Sequence, residues 1–154
     1  MVLSAASVRI WSDSLTVIAD RAPQFLDITP TVQDYVSRSG VTNGMAVVFS
    51  KHTTAAIKIN EHEPELLKDM EGFLSRLSPA DAAYFHNDFE VRTVNMEEDE
   101  CPNGHAHCQH LVLSSSETVP VVDGVLGLGV YQRIFLVELD RPRPRTVTVQ
   151  ILGS

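Results

Sequence analysis

The amino-acid sequence predicts a single α+β domain in which β-strands predominate. Its last third alternates apolar and polar residues with the period of two that is typical of strands. Residues 64–77 instead repeat apolar residues at intervals of three and four, which indicates an amphipathic helix. The 154 residues, 44% of them hydrophobic, contain no internal repeat, low-complexity segment or linker, so we expect one globular domain spanning residues 1–154.

The first forty residues predict a hairpin followed by a helix. Residues 2–12 and 14–19 are rich in apolar and β-branched side chains, and the polar residues 12–14 between them predict a turn. Pro30 suits the first turn of a helix and Gly40 suits a helix end, so we expect a helix between Thr29 and Gly40.

The middle of the chain predicts strands and then the clearest helix. Residues 45–49 are apolar on both faces, as in a strand at the middle of a packed sheet. From His52 onward the side chains alternate up to residue 61, so residues 44–61 form one or two strands. Pro64 opens the helix over residues 64–77, and we expect its apolar stripe to be core. The stripe consists of Leu66, Leu67, Met70, Phe73, Leu74 and Leu77.

The remainder of the chain predicts an irregular stretch and a β-rich end. Regular periodicity is lost between residues 80 and 110, and an irregular stretch of this length is more often functional than idle. Residues 118–122 predict a strand, Asp123-Gly124 a hairpin turn, and residues 125–139 a β segment interrupted by two glycines. Residues 141–145 form a connection to a last strand at residues 146–152.

Charge and composition limit the partners. A formal net charge of −8 disfavours a broad nucleic-acid interface, which depends on many Lys and Arg contacts to phosphate. No segment approaches the roughly 18 apolar residues that span a bilayer, and the N-terminus lacks the pattern of a signal peptide. We therefore expect a cytoplasmic protein without a membrane partner. In that compartment Cys101 and Cys108 are more often free thiols than a disulfide or metal ligands.

Residues 97–117 concentrate reactive side chains. They hold three of the six histidines, both cysteines, five carboxylates and a triple serine. Histidine is the side chain best suited to proton transfer near neutral pH and the commonest metal ligand. His105 and His107 could hold one ion together in an extended segment, whereas in a helix only one of them could serve. A metal site, a phosphate site and a polar loop all remain open from this stretch alone.

Several segments together resemble the YjbQ-like family. His52-Thr-Thr-Ala-Ala-Ile57 with Asn60-Glu61 resembles the family's block of His, Thr and Ala that ends in Asn-Glu. Residues 103–110 resemble its Ala-His-Ile-Lys segment, and residues 116–124 and 129–134 resemble its C-terminal pattern. The resemblance covers nearly the whole chain. It implies two packed β-sheets of jelly-roll-like character with flanking helices, assembled as a homotrimer with sites near subunit boundaries.

The resemblance also implies the residues of a pocket. Carried over position by position, the catalytic residues are His52, Asn60, Glu61, His107, Gln132 and Glu138. The substrate-binding residues are Thr53, Lys58, His86, Asp88, Ser115 and Tyr131, of which His86 and Asp88 form the rim. A divalent metal ion, magnesium or zinc, would be held by His52, His107 and Glu138.

The strand period agrees with part of this pocket. Gln132 and Glu138 share one side of a strand, as His52 and Asn60 share one side of another, so we expect each pair to face one cavity. The chain departs from the family at two positions. Tyr131 stands where the family has Trp, which keeps an aromatic wall, and Gln109 stands where it has Lys, which weakens a direct grip on phosphate.

The function that the resemblance implies is thiamine-phosphate synthesis. This reaction joins hydroxymethylpyrimidine diphosphate to thiazole phosphate with loss of diphosphate. A metal ion would neutralise the departing diphosphate, and an imidazole or carboxylate would transfer protons. Two alternatives stay open. One is metal-dependent hydrolysis of a small phosphorylated or amide metabolite, and the other is a non-catalytic trimeric module that binds a metabolite or a metal.

Overall fold

The computed structural model describes residues 7–154, which form two antiparallel β-sheets and three α-helices. The strands are β1 (Arg9–Ile18), β2 (Gln24–Asp27), β3 (Gly44–Ser50), β4 (Ala55–Glu61), β5 (Ser116–Val122), β6 (Val125–Leu126), β7 (Gln132–Glu138) and β8 (Pro144–Gly153). The helices are α1 (Thr29–Ser39), α2 (Pro64–Leu77) and α3 (Gly104–His110), with a short 3₁₀-helix at Phe85–Asn87.

The two sheets differ in size and in what covers them. Sheet A has five strands in the order β1-β8-β3-β5-β6, and sheet B has three in the order β2-β7-β4. One apolar core lies between the sheets and includes α1, while a second core lies between sheet B, α2 and α3. Sheet B is therefore covered on both faces. The expectation of two packed sheets with flanking helices in a β-rich α+β fold is confirmed.

Both predicted helices are present with the expected ends. Gly40 follows α1 with a φ of 68°, a left-handed conformation that glycine adopts without strain. Glu63 caps α2 by accepting hydrogen bonds from the backbone N–H groups of Glu65 and Leu66. The expected apolar stripe of α2 is only partly core. Phe73 and Leu77 are 55% and 47% exposed, whereas Leu67, Met70 and Leu74 pack in the core between sheet B, α2 and α3.

The predicted N-terminal hairpin is wrong, because β1 runs unbroken through the expected turn. Ten residues of β1 pair in register with β8, and Asp13 lies opposite Val149. Ser12 and Ser14 are exposed while Trp11 and Leu15 pack against the core, so the two serines lie on the solvent side of one strand. Asp13 lies on the side of Trp11 and Leu15, where it pairs with Arg38. Residues 2–6 of the predicted hairpin lie outside the described residues.

The other strand predictions are confirmed. Residues 44–61 form two strands, and β3 lies at the middle of sheet A. Asp123 and Gly124 have φ values of 52° and 75° and join β5 to β6 in a tight turn. The irregular stretch contains one helix that the sequence analysis missed, α3, which carries His105, His107 and His110. In the part of the chain described, no helix has the length and apolar character needed to cross a bilayer.

Candidate functional site

A cleft of about 610 Å³ lies at one end of sheet B, and we call it the main cleft. Its walls come from the start of β4, the irregular segment before α3, α3 itself and the β7–β8 connection. Fifteen residues line it: Thr53, Thr54, Phe85, His86, Arg92, Val94, Asn95, Glu97, Asp99, Glu100, Cys101, Asn103, His107, Arg141 and Arg143. The main cleft thus gathers imidazoles, guanidinium groups and carboxylates in one place.

Two histidines lie side by side in the main cleft. The ring centroids of His86 and His107 are 4.6 Å apart. The two elements that carry them are tied together, since the Asn87 side-chain oxygen accepts a hydrogen bond from the Gly104 backbone N–H at 2.9 Å. A Cβ at Gly104 would lie 2.6 Å from the Cβ of Tyr84, so this close approach requires glycine.

His107 is suited to proton transfer, and His86 has a ring nitrogen free for a ligand. Burial, followed by the nearby His86, lowers the pKa of His107 below its ordinary value, so its imidazole is neutral near pH 7. The Nε2 atom of His86 is buried and has no hydrogen-bond partner among the described residues. Buried polar atoms are normally satisfied, so an unpartnered ring nitrogen beside a cleft favours contact with a ligand or water there.

Three arginines line the main cleft, and they differ in how fully they are paired. Arg92 forms two hydrogen bonds to the Glu100 carboxylate, at 3.0 and 3.3 Å. Arg141 donates to Asp99 at 3.0 Å. Arg143 makes no hydrogen bond within residues 7–154, and its nearest carboxylate oxygen, on Asp140, is 3.9 Å away. Arg143 is therefore the cation most available to an anionic ligand.

Glu138 and Arg145 form a fully buried ion pair beneath this end of the sheet. Arg145 also donates to the hydroxyl oxygen of Thr54 at 3.1 Å. The Oε1 atom of Glu138 accepts hydrogen bonds from the backbone N–H groups of Leu139 and Asp140, at 3.1 and 2.9 Å. Glu138 therefore anchors the start of the β7–β8 connection, which carries Arg141 and Arg143 to the main cleft.

His52 lies beside the ion pair. Its Nε2 atom accepts a hydrogen bond from the Thr146 backbone N–H at 2.9 Å. Burial, and then the positive charges of Arg145 and Arg143, lower the pKa of His52. Two of the three predicted metal ligands, His52 and Glu138, thus already use ring or carboxylate atoms in hydrogen bonds or ion pairs with other protein groups. Among residues 7–154 no three His, Cys, Asp or Glu side chains are placed to hold a metal ion, so the chain does not assemble the predicted set with His107.

Other predicted site residues line a second cleft of about 330 Å³ at the opposite end of sheet B. It contains Asn60, Glu61, Tyr131 and Gln132. Glu61 pairs with Gln132 at one end of the β4–β7 ladder, and Ala55 pairs with Glu138 at the other. Six residues of strand separate Gln132 from Glu138, roughly 20 Å. Within one chain, neither Gln132 and Glu138 nor His52 and Asn60 share a cavity, contrary to the expectation from strand period.

Three predicted binding residues lie outside both clefts. Lys58 contacts the Glu117 carboxylate at 3.3 Å. The hydroxyl of Ser115 lies 3.5 Å from the Nε2 atom of His110. Asp88 accepts hydrogen bonds from the backbone N–H groups of the turn that follows it. Of the predicted set, His86, His107 and Thr53 line the main cleft directly.

The sequence analysis missed the arginines of the main cleft. Residues 141–145 contain three arginines alternating with two prolines, in a chain with only twelve Lys and Arg residues. That local concentration of positive charge is the available signal, although the sequence pattern by itself predicts only a connection between strands. Cys101 lines the main cleft and Cys108 is exposed, and the two do not form a disulfide.

The fold and the main cleft define a class: a small two-sheet α+β protein with a histidine- and arginine-lined site at the end of its inner sheet. The chain belongs to the UPF0047 protein YjbQ-like family, whose model matches residues 13–154. A UPF0047 protein of Methanothermobacter thermautotrophicus is 37% identical over 147 residues, which cover 96% of this chain and 95% of the relative. A UPF0047 protein of Synechocystis is 34% identical over 156 residues, which cover 100% of this chain and 99% of the relative.

Solved structures agree with this assignment. A crystal structure of a YbjQ-like protein of unknown function from Sulfolobus solfataricus P2 matches with a TM-score of 0.86 and 35% identity, covering 96% of this chain and 100% of that one. A hypothetical protein from Aeropyrum pernix K1 matches with a TM-score of 0.83 and 39% identity, covering 94% of this chain and 99% of that one. The fold is thus that of the family, whose described members include proteins of unknown function.

Proposed function

We propose that the protein is an enzyme that acts on a small phosphorylated substrate in the main cleft. The observation that carries this proposal is the presence of a neutral, half-buried His107 and an incompletely paired Arg143 in the same cleft. Guanidinium groups bind phosphate strongly because they present several donors in a fixed plane. A neutral imidazole can accept a proton or a hydrogen bond near pH 7.

The specific reaction that we propose is thiamine-phosphate synthesis. The bond between the pyrimidine methylene carbon and the diphosphate oxygen breaks, and its electron pair leaves with diphosphate. The thiazole nitrogen then forms the new carbon–nitrogen bond. This nitrogen carries no proton, so the main demand on the protein is to stabilise the charge that develops on diphosphate. Arg143, Arg141, the hydroxyl of Thr53 and the remaining ring N–H of the neutral His107 are the donors in the main cleft suited to that role.

The test is a direct assay with both phosphorylated precursors. The assay includes Mg²⁺, because this ion commonly binds proteins together with substrate phosphates. We expect thiamine phosphate to form, with about 100-fold or greater loss of rate in Arg143→Gln and His107→Ala, by analogy with the loss of other charge-stabilising groups. The matched controls, Arg133→Gln and His62→Ala, change residues outside the main cleft and should retain activity. Absence of product above a heat-inactivated control would reject the synthase reaction.

A second candidate function is hydrolysis of a phosphorylated or amide metabolite at a protein-bound transition metal. The adjacency of His86 and His107 favours it, because two imidazoles 4.6 Å apart can supply two ligands to zinc. Elemental analysis of untagged protein distinguishes the two reactions. Stoichiometric zinc, lost in His86→Ala together with hydrolase activity, would favour hydrolysis over synthesis. Binding of precursors without turnover of any of them would instead support a non-catalytic binding module.

We also propose that the protein is a cytoplasmic homotrimer. An apolar row on the outer face of sheet A supports self-association, since Ile10, Leu152, Met45 and Pro120 lie in register across four strands. Leu152 is half-buried, and the other three residues are exposed. Sedimentation equilibrium should give a mass three times that of one chain. Met45→Glu should lower that mass, whereas Thr16→Glu, farther along the same face, should not. A monomeric wild-type protein would refute this assembly.

A further inference from the structure

An acidic segment, residues 97–100, lies against the arginines of the main cleft. Its Asp99 carboxylate accepts a hydrogen bond from Arg141 Nη2 at 3.0 Å, and the Asp99 backbone oxygen lies 3.3 Å from the same nitrogen. Its Glu100 carboxylate binds Arg92 through two hydrogen bonds. Carboxylates therefore occupy two of the three guanidinium groups that would otherwise face an anionic ligand.

The two ion pairs differ in exposure. The side chains of Arg92 and Glu100 are each 14% exposed, whereas those of Arg141 and Asp99 are 33% and 83% exposed. Exposed ion pairs are weak because water screens the charges and because holding two mobile side chains costs entropy. A ligand can thus displace Asp99 from Arg141 easily. The less exposed Arg92–Glu100 pair instead helps to hold the segment in place.

We propose that Asp99 determines which anions the main cleft accepts, by occupying Arg141 in place of a second phosphate group. A single phosphate binds at Arg143, which needs no displacement. A diphosphate must also reach Arg141, and it must therefore displace Asp99. This inference rests on the proposed function, because it assumes that the main cleft binds phosphorylated compounds. The inference adds Asp99 as a residue that determines specificity. It predicts that the displacement of Asp99 weakens the binding of diphosphates and not that of monophosphates.

The matched control comes from the same segment. Glu98 is exposed, does not line the main cleft and makes no ion pair among the described residues. Asp99→Asn and Glu98→Gln each remove one negative charge from neighbouring positions, so the long-range electrostatic effect of the two changes is similar. Only Asp99→Asn removes the negative charge that pairs with Arg141. Both side chains are exposed, and we expect both variants to fold with unchanged melting temperatures.

The experiment is isothermal titration calorimetry of the full chain with inorganic phosphate and inorganic diphosphate at fixed ionic strength. Asp99→Asn should tighten diphosphate binding by about two- to fivefold, the factor that corresponds to an exposed ion pair. Its affinity for phosphate should change by less than about twofold, and Glu98→Gln should change both affinities by less than about twofold. Arg141→Gln should weaken diphosphate binding and abolish the effect of Asp99→Asn in the double variant.

The outcomes separate this inference from the proposed function. If the wild-type protein binds both anions and Asp99→Asn behaves like Glu98→Gln, the role of Asp99 is wrong and the anion site stands. If Asp99→Asn tightens the binding of phosphate and of diphosphate by the same factor, the role of Asp99 in specificity is also wrong. If no variant binds either anion at millimolar concentration, both the inference and the phosphorylated-substrate proposal are wrong.

Discussion

His107 shows how the interior of this small domain controls a side chain at the site. Burial lowers its pKa most, and the nearby His86 acts in the same direction. Burial is likewise the first cause of a lowered pKa at three other histidines, His52, His105 and His110. In the unfolded chain these side chains titrate near the ordinary histidine value of about 6.5. The folded protein therefore binds fewer protons than the unfolded chain below that pH.

We predict that stability falls as the pH is lowered from about 7 to about 5. Because the unfolded chain takes up histidine protons that the folded protein excludes, protons favour unfolding in this window. The measurement is the melting temperature in buffers of constant ionic strength. His107→Gln should reduce the dependence on pH, while Gln150→Asn, at an exposed position without a titratable group, should leave it unchanged. An identical slope in the wild type and His107→Gln would contradict the assignment.

Gln109 is a residue whose role the structure changes. From the sequence, we interpreted it as a place where the grip on phosphate is weakened. The side chain is instead 1% exposed and does not line the main cleft. Its Nε2 atom donates to the backbone oxygens of Leu74 and Ser78, each at 3.1 Å, at the end of α2. The interpretation failed because α3 had not been predicted, so the direction of each side chain was unknown.

We predict that Gln109→Leu lowers the free energy of unfolding by about 1–3 kcal/mol, because the carbonyl oxygen of Ser78 loses the donor that Gln109 provides. The Leu74 oxygen keeps its hydrogen bond from the Ser78 N–H. Urea-induced unfolding monitored by circular dichroism measures this loss. Gln150→Leu, at an exposed position, is the matched control and should change stability by less than about 0.5 kcal/mol. Affinity for inorganic diphosphate should be the same in folded Gln109→Leu as in the wild type. Weakened diphosphate binding would restore a role for this residue in the site.

At the scale of elements, the β7–β8 connection joins the core to the main cleft. Its first residues are held by the buried Glu138 carboxylate, and Arg145, the second residue of β8, neutralises that carboxylate. Arg141 and Arg143 lie between these two fixed points. The resemblance implied that Glu138 was catalytic and a metal ligand, and that role stays a prediction. The contacts within the chain support a positioning role, since Glu138 is fully buried and bound to protein donors.

We predict that Glu138→Ala destabilises the protein by about 3–5 kcal/mol, because it leaves the Arg145 charge buried without its partner. The double variant Glu138→Gln with Arg145→Met should recover most of this loss, since it removes both charges and keeps an acceptor for the backbone. Denaturant unfolding of the variants measures both effects. Glu65→Gln, in an exposed pair with Lys68, should cost less than about 1 kcal/mol. A mild effect of Glu138→Ala would contradict this account.

Some elements could be predicted from the sequence and others could not. The helices α1 and α2 carry strong periodicity and capping residues, and the turn at Asp123-Gly124 has its usual residues. The helix α3 has seven residues, too few for a periodic signal. Its three histidines indicate a reactive or metal-binding loop and give no sign of a helix. For β1, the sequence Ser12-Asp13-Ser14 has the composition of a turn, and only pairing with β8, far along the chain, keeps it extended.

At the scale of the whole molecule, the position of the main cleft depends on which strand ends meet. Ala55 pairs with Glu138, which brings the start of β4 next to the β7–β8 connection. These segments are about eighty residues apart in sequence, and local patterns carry no information about their pairing. The sequence could therefore indicate that His52, His107 and Gln132 are candidates without indicating that the two histidines lie near one end of sheet B and Gln132 at the other.

The main cleft combines a rigid half with a half that has little regular structure. Sheet B is packed on both faces, whereas residues 84–103 are held mainly by turns and side-chain hydrogen bonds. Segments with few backbone hydrogen bonds open more easily than sheets. An anion that bridges Arg143 to the groups of residues 84–103 would tie the irregular half to the rigid one. Ligand binding should therefore stabilise one region of the molecule and leave the rest unchanged.

We predict that inorganic diphosphate slows hydrogen–deuterium exchange in residues 84–103 and 139–143 and not in β3 or β5. Ligand binding suppresses local opening in proportion to the ratio of the free diphosphate concentration to Kd. Diphosphate at about ten times its Kd should therefore slow exchange by about tenfold in these segments. Arg143→Gln should remove the effect, whereas Arg133→Gln, outside the main cleft, should retain it. Protection spread evenly over both sheets would mean that the anion binds elsewhere or stabilises the fold globally. Protection confined to these two segments would locate the bound phosphate at the end of sheet B where the histidines and arginines meet.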